Sequence, residues 1–268
     1  MTVRASAWPT VVRCSNLILF AVCVIGITAS AASDYPGRSD PIPADYFGLH
    51  VHHADVIAWP NISFDGWRLW DAGVAWSQLE PERDRWDFHL LDRYVELADL
   101  QHVRILLVLG LTPKWASARP GEHSAYEAGN GSEPSHLDDW KHYVEVVARR
   151  YKGRIQAYEI WNEPNTTATF TGDVDSMLQL ALSAYEVLKS VDPAIVVVSP
   201  SSAASQGIDW LKRFVKRGGC RYADVVAYHF YVTPYAPEEM VPLIERVRGV
   251  LRSARCDKRG RAFSQKSA

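Results

Sequence analysis

Glu163 stands beside an amide in Trp161-Asn162-Glu163-Pro164, directly after the apolar-rich run 155–161. A carboxyl group at the end of such a run can move a proton to or from a reacting oxygen, provided its surroundings hold its pKa near the working pH. The plainer use of the same residues is structural, with Asn162 and Glu163 ending a strand and Pro164 opening the first turn of a helix. Glu159, four residues earlier, lies deeper in the run and is the weaker candidate. Other side chains suited to chemistry recur in similar places. His229-Phe230-Tyr231 sets an imidazole and a phenol two residues apart, and strand alternation sends both to one face. Arg68, in Trp67-Arg68-Leu69-Trp70-Asp71, offers a guanidinium fork that suits a carboxylate, whether at a reactive site or in a plain ion pair with Asp71 or Glu80. His50 and His52 cluster in His50-Val51-His52-His53, and Trp115 follows another apolar run in Leu111-Thr112-Pro113-Lys114-Trp115-Ala116.

These residues need strands to present them. Strand-like runs at 46–51, 66–70, 103–109, 155–161, 195–199 and 225–231 alternate with helical spacing at 88–100, 136–151, 174–191, 208–216 and 237–252. Asp138 or Ser135 is expected to cap the second helix, and Asp192-Pro193 to end the third. Six strand–helix units alone suit an open doubly wound sheet better than a (β/α)8 barrel. The polar residues reverse that preference. They fall at the C-terminal ends of the first, second, fourth and sixth strands, the face on which barrels assemble sites from several strands at once. No glycine-rich phosphate loop follows any strand, which weakens a nucleotide-binding alternative. The expected class is therefore α/β, a TIM (β/α)8-type barrel incomplete at its C-terminus.

The chain of 268 residues is 47% apolar and 22% charged, enough for one large domain. A net charge of −2 with no long basic run gives no electrostatic reason to expect nucleic acid. Ten Trp and twelve Tyr are a generous supply of flat rings, of the kind carbohydrate sites stack against sugars. At the N-terminus Arg4 and Arg13 precede the apolar run Leu17 to Ile27 and the small residues Ala29-Ser30-Ala31, the layout of a signal peptide. That run is shorter than the roughly twenty residues of a membrane span. The expectation is cleavage near Ala31, a leader over 32–44, a barrel domain over 45–254, an irregular tail over 255–268 and a secreted or periplasmic product with no stable membrane span. Cys14 and Cys23 leave with the signal, whereas Cys220 and Cys256 stay, either paired or as thiols. Sequons occur at Asn61, Asn130 and Asn165.

The segment from Ile155 through Trp161-Asn162-Glu163-Pro164 resembles the acid/base motif on the fourth strand of clan A retaining glycoside hydrolases, and the Trp67–Asp71 and Leu111–Ala116 stretches are similar to family 39, then family 5. The resemblance runs from about Asp45 to Arg252. It implies an O-glycosidase acting on a polysaccharide or oligosaccharide, with Glu163 as acid/base and Asn162 on the sugar 2-hydroxyl. It further implies that Tyr231 bonds the nucleophile, that His229 lines the sugar site, that Arg68 orients the nucleophile or touches sugar, and that Trp115 is a sugar platform; His50 and His52 are expected to contact sugar, the plainer reading being a satisfied core histidine. The nucleophile of this clan is a Glu ending the seventh strand. Beyond Tyr231 the carboxylates are Glu238, Glu239, Glu245 and Asp257, none of them at a strand end, so the chain is expected to stop short of that strand.

Two other functions fit parts of the pattern. A degenerate barrel that binds carbohydrate without cleaving it keeps Asn162, His229 and the aromatic rings. A metal-dependent amidohydrolase also begins with His-x-His, but it needs later ligands, and the fifth strand has no His and the fourth no terminal Lys. No metal and no cofactor are expected.

Overall fold

The computed structural model describes residue 42 and residues 46–256. The segments read as signal peptide and leader lie outside these residues except for Ile42, as does the tail beyond Cys256. The chain separates into two compact units, Met1–Ile42 and Pro43–Ala268, and the second carries every element below.

Among the described residues seven strands form: β1 (Gly48–Leu49), β2 (Gly66–Leu69), β3 (Arg104–Leu109), β4 (Ala157–Ile160), β5 (Val196–Val198), β6 (Ser202–Ala203) and β7 (Tyr228–His229). The helices are α1 (Trp76–Leu79), α2 (His89–Gln101), α3 (Leu137–Arg150), α4 (Val174–Val191), α5 (Gly207–Lys216) and α6 (Met240–Ser253). Strands β1 to β5 make one parallel sheet in the order β1-β2-β3-β4-β5. A bridge from Val198 to Val225 then sets the next stretch of chain beside β5, and β6 pairs with β7. A doubly wound sheet reverses its strand order at a switch point; this order never reverses, which is the winding of a barrel. Among the described residues β1 pairs only with β2, and the sheet remains open between β1 and the segment from Val225 to His229.

The expected fifth strand, 195–199, is the first half of a longer one. Pro200 has no N–H to give the ladder, and beside this break Ser199 Oγ accepts from the Ala227 N–H at 3.0 Å, satisfying that donor. Pairing resumes at Ser202. The other helices begin and end close to expectation, and Asp192 is the residue at which α4 stops. The capping of α3 departs from it. Its N-cap is His136 with no side-chain bond, Asp138 and Asp139 lie in the first turn where they favour the helix dipole, and Ser135 Oγ turns to the Ser117 carbonyl. The expected last helix is split into a 3-10 turn, Pro237–Glu239, and α6.

Helix periodicity explains the packing. In α3, Trp140, Tyr143, Val144, Val147 and Ala148 form one buried stripe, and in α2 Leu91, Tyr94, Val95 and Ala98 do the same. Every residue of β4 is buried, as expected of a strand covered on both faces. Tyr158 and Ile160 join the layer under the helices, whereas Glu159 faces inward. A cavity of about 360 Å³ runs along this inner surface, lined by Leu49, Arg68, Leu106, Val198 and Val225. Cys220 and Cys256 are joined as a disulfide with Cα atoms 5.7 Å apart, tying the 3-10 turn Gly219–Tyr222 to the end of α6. Among the described residues no helix is long and apolar enough to cross a membrane.

Candidate active site

Glu163 and His229 meet at the C-terminal edge of the sheet. His229 Nδ1 lies 2.7 Å from Glu163 Oε1, bringing the ends of the fourth and sixth barrel strands together. Tyr231 follows on the same strand end, and its ring lies 5.6 Å from that of His229. The bond from His229 holds the Glu163 carboxyl below its usual range, although burial works in the other direction. Burial and the Glu163 charge raise the Tyr231 phenol. Glu163 is thus an ionised acceptor held by His229 in this arrangement.

The strand end that carries it is bent by its own backbone. Trp161 and Glu163 both adopt left-handed conformations, with φ of 68° and 48°. Such residues persist only where the surroundings over-determine them. Here the Glu163 N–H donates to the Ser201 carbonyl at 2.9 Å, the Glu163 carbonyl accepts from Thr169 Oγ1 at 2.7 Å, and the Trp161 indole N–H donates to the Thr169 carbonyl at 2.9 Å. Left-handed Trp161 breaks the strand alternation. Its ring packs outward on Trp140 and Phe170, and Asn162 turns to the side already occupied by Glu159.

Arg68 joins those two residues. Its Nε and Nη2 donate to the two oxygens of Glu159 at 2.7 and 2.6 Å, and Nη2 also donates to Asn162 Oδ1 at 2.8 Å. Ser201 Oγ donates to Glu159 at 2.5 Å. Burial disfavours the Arg68 charge, but the paired carboxylate more than offsets this and holds its pKa above the ordinary value. A guanidinium only donates, so it fixes the orientation of the Asn162 amide: oxygen toward Arg68, NH2 outward. Glu159 is only 1% exposed with both oxygens engaged, so it is a poor nucleophile and a good anchor. In the sequence Glu159 is the weaker candidate because it lies deeper in the run, and Ser201 carries no signal beyond being a serine just past the proline that interrupts a strand.

His50 Nε2 lies 3.2 Å from Arg68 Nη1. Its edge is exposed, yet loss of hydration and then the Arg68 charge lower its pKa to about 4, so it is neutral and accepts. His52 sits 6.0 Å away, ring to ring, with Nδ1 3.2 Å from the Asp71 carbonyl. A cation bound at His50 meets the Arg68 guanidinium directly, which is the physical objection to the amidohydrolase alternative. Among the described residues no group of three or more His, Cys, Asp or Glu could hold a metal ion. Trp115 needs a correction. Its indole N–H donates to the Glu80 carbonyl at 2.9 Å and its face is covered by the Arg83 guanidinium at 4.3 Å, so the ring serves the wall and is not offered as a sugar platform. Of the sequons, Asn130 is buried and its amide bonds the Thr112 carbonyl at 2.9 Å, leaving no room for a glycan.

The family model for glycosyl hydrolases family 39 matches residues 52–253. Among solved structures, a family 39 glycoside hydrolase from Bacteroides cellulosilyticus WH2 is 21% identical with a TM-score of 0.52, over 65% of this chain and 34% of that one. A monomeric beta-xylosidase from Caulobacter crescentus CB15 is 20% identical with a TM-score of 0.58, over 71% and 43%. The GH39 enzyme from Xanthomonas axonopodis pv. citri is 22% identical with a TM-score of 0.56, over 71% and 42%. The matched region thus spans less than half the length of each of these structures. No curated protein matches the chain by sequence. These likenesses agree with the strand order in giving a partial α/β barrel.

Proposed function

The chain belongs to the glycosyl hydrolases of family 39, and from that premise we propose that it acts on the O-glycosyl bonds of a polysaccharide or oligosaccharide by a retaining mechanism, with Glu163 as acid/base. The observation that carries this reading is the pairing of Glu163 with His229 beside an Asn162 whose amide is oriented by Arg68. In hydrolysis the Glu163 carboxyl protonates the leaving oxygen, and the outward NH2 of Asn162 donates to the sugar 2-hydroxyl, a bond that strengthens in the transition state. Glu163 must first gain a proton. A sugar ring that expels water raises its pKa, and so does a second carboxylate nearby.

Retention requires such a carboxylate about 5–5.5 Å away as nucleophile. Glu159 is taken by Arg68 and Ser201, while Glu238 and Glu239 lie in the 3-10 turn and Glu245 pairs with Arg248 on α6. This reading therefore gives the acid half of the pair to the described residues and looks for the nucleophile outside them. The same facts favour one second reading, a carbohydrate-binding barrel without turnover. The Caulobacter crescentus structure is described as a β-xylosidase, which makes an aryl β-xyloside the first substrate to try. Turnover by the whole chain that falls about a hundredfold or more in Glu163→Gln supports hydrolysis. Sugar binding with no turnover supports the second reading, and turnover unaffected by Glu163→Gln overturns the assignment of Glu163.

The proposal extends to export. A disulfide between Cys220 and Cys256 suits an oxidising compartment and accords with the signal-like N-terminus. N-terminal sequencing of the product made in its native cells tests this, with a mature start just after Ala31 as the expected result.

A further inference from the structure

Directly after β2 the chain leaves the main core and builds a small separate cluster, in which Trp70, Val108 and Leu111 pack together under Tyr126. A cavity of about 250 Å³ opens beside it, lined by Trp70, Asp71, Gly73, Gln78, Leu111 and Tyr126 among others. That volume is below the roughly 300–1,000 Å³ of sites for larger ligands and suits a single ring. The floor is apolar and the polar groups stand at its edge. Tyr126 Oη donates to Asp71 Oδ1 at 2.7 Å, and Trp70 meets Tyr126 edge-on with centroids 5.7 Å apart. Asp71 Oδ2 has no partner among the described residues, and Gln78, whose Oε1 accepts from the Ala75 N–H at 3.1 Å, keeps its NH2 to donate. An outward acceptor, an outward donor and an aromatic wall together match a pyranose, whose hydroxyls both give and take hydrogen bonds and whose ring faces are apolar.

The cavity adjoins the carboxylate cluster. Asp71 is linked through its carbonyl to His52, whose ring neighbours His50, which in turn touches Arg68. Asp71 has a left-handed backbone, φ 54°, a costly conformation for a residue with a side chain and one that clusters at binding sites. Burial and the Asp71 carboxylate push the Tyr126 phenol well above its usual value, and the Glu163 charge adds to this, so Tyr126 stays a donor within electrostatic reach of Glu163.

We propose that the Trp70–Asp71–Tyr126 cavity is a subsite for a neutral sugar ring next to the one handled at Glu163, with Asp71 Oδ2 accepting from its hydroxyls. The Asp71 carboxylate also sets a preference: it repels a uronate and accepts an uncharged pentose or hexose unit. This inference rests on the reading of Glu163 given above, but it is tested by binding and not by turnover.

The experiment is calorimetric titration of the full chain carrying Glu163→Gln, chosen to suppress hydrolysis, with xylose, xylotriose and a glucuronic-acid-substituted xylotriose. Adding Asp71→Ala is expected to weaken xylotriose binding by about tenfold, the value of one hydrogen bond to a charged group, and to weaken xylose much less. Asp71→Asn, which keeps the shape, is expected to narrow the gap between the neutral and the acidic trisaccharide. Tyr126→Phe removes only the hydroxyl and guards against a folding effect in the alanine variant. Equal losses for xylose and xylotriose, no loss for either, or no xylotriose binding by the Glu163→Gln chain overturns the subsite. The assignment of Glu163 is judged separately, by aryl β-xyloside turnover in the unaltered chain and in Glu163→Gln.

Discussion

Glu159 grips Arg68 through both carboxylate oxygens, at 2.7 and 2.6 Å, and so joins β4 to β2 across the intervening β3. The pair is almost wholly withdrawn from water, with side-chain exposures of 14% for Arg68 and 2% for Glu159. Breaking one partner of such a pair strands the other charge. Glu159→Ala is therefore expected to lower stability by about 3–5 kcal/mol, measured by urea unfolding. Glu159→Gln keeps one acceptor, so it is expected to lose less stability while still weakening sugar binding, because Arg68 then holds the Asn162 amide less firmly. An alanine variant as stable as the parent would show that the pair does not anchor the sheet.

His229 lowers the pKa of Glu163, so its removal has a signed effect on pH dependence. Activity that needs protonated Glu163 is lost as pH rises through that pKa. In His229→Ala the alkaline limb of kcat/KM is expected to move upward, with the maximal rate reduced by about tenfold or more from the lost donor. A limb that stays in place, or moves down, contradicts the role given to this contact.

Gly110 occupies a backbone of φ 147°, and a Cβ there would stand 3.1 Å from the Trp161 ring. Gly110→Ala imposes both backbone strain and overpacking on the residue that bends the strand end. A loss of about 2–3 kcal/mol is expected in thermal or chemical unfolding. The substitution is also expected to disturb the Glu163 site, seen as lost turnover or lost sugar affinity at temperatures where the protein remains folded.

The Cys220–Cys256 bond closes a loop with a sequence separation of 36. Its reduction, or Cys256→Ser, is expected to cost about 3–4 kcal/mol on loop-closure grounds. Comparing unfolding with and without a thiol reductant measures this directly. A Cys220→Ser/Cys256→Ser double variant that is insensitive to reductant confirms that the effect belongs to this bond.

Much of the scaffold could be read from the sequence because hydrophobic periodicity is a local signal. The stripe Trp140, Tyr143, Val144, Val147 in α3 and the continuous burial of β4 follow from residue order alone. The polar residues at strand ends point to barrel winding, and the unreversed strand order agrees with it. What stayed hidden depends on geometry that residue order does not encode. Nothing marks Trp161 as left-handed, and without that bend the facing of Glu159 relative to Asn162 cannot be assigned. Trp115 has the composition of a sugar platform, but its neighbour Arg83, far from it in sequence, covers it. Ser201 acquires its role only when a strand interrupted by proline brings it beside Glu159.

Because β1 to β5 lie side by side in the order in which they occur along the chain, each unit finds its neighbour already made. Each contact is closed across a long crossover, the shortest from Leu49 to Gly66 and the longest from Leu109 to Ala157, and the closure cost rises only slowly with that length. A nascent chain can therefore lay down β2 against β1, then β3 against β2, as it leaves the ribosome. The Arg68–Glu159 clasp forms only when β4 arrives, fastening three strands at one stroke. Folding watched during synthesis should accordingly show protection from proteolysis rising sharply once residues through Ser201 have emerged.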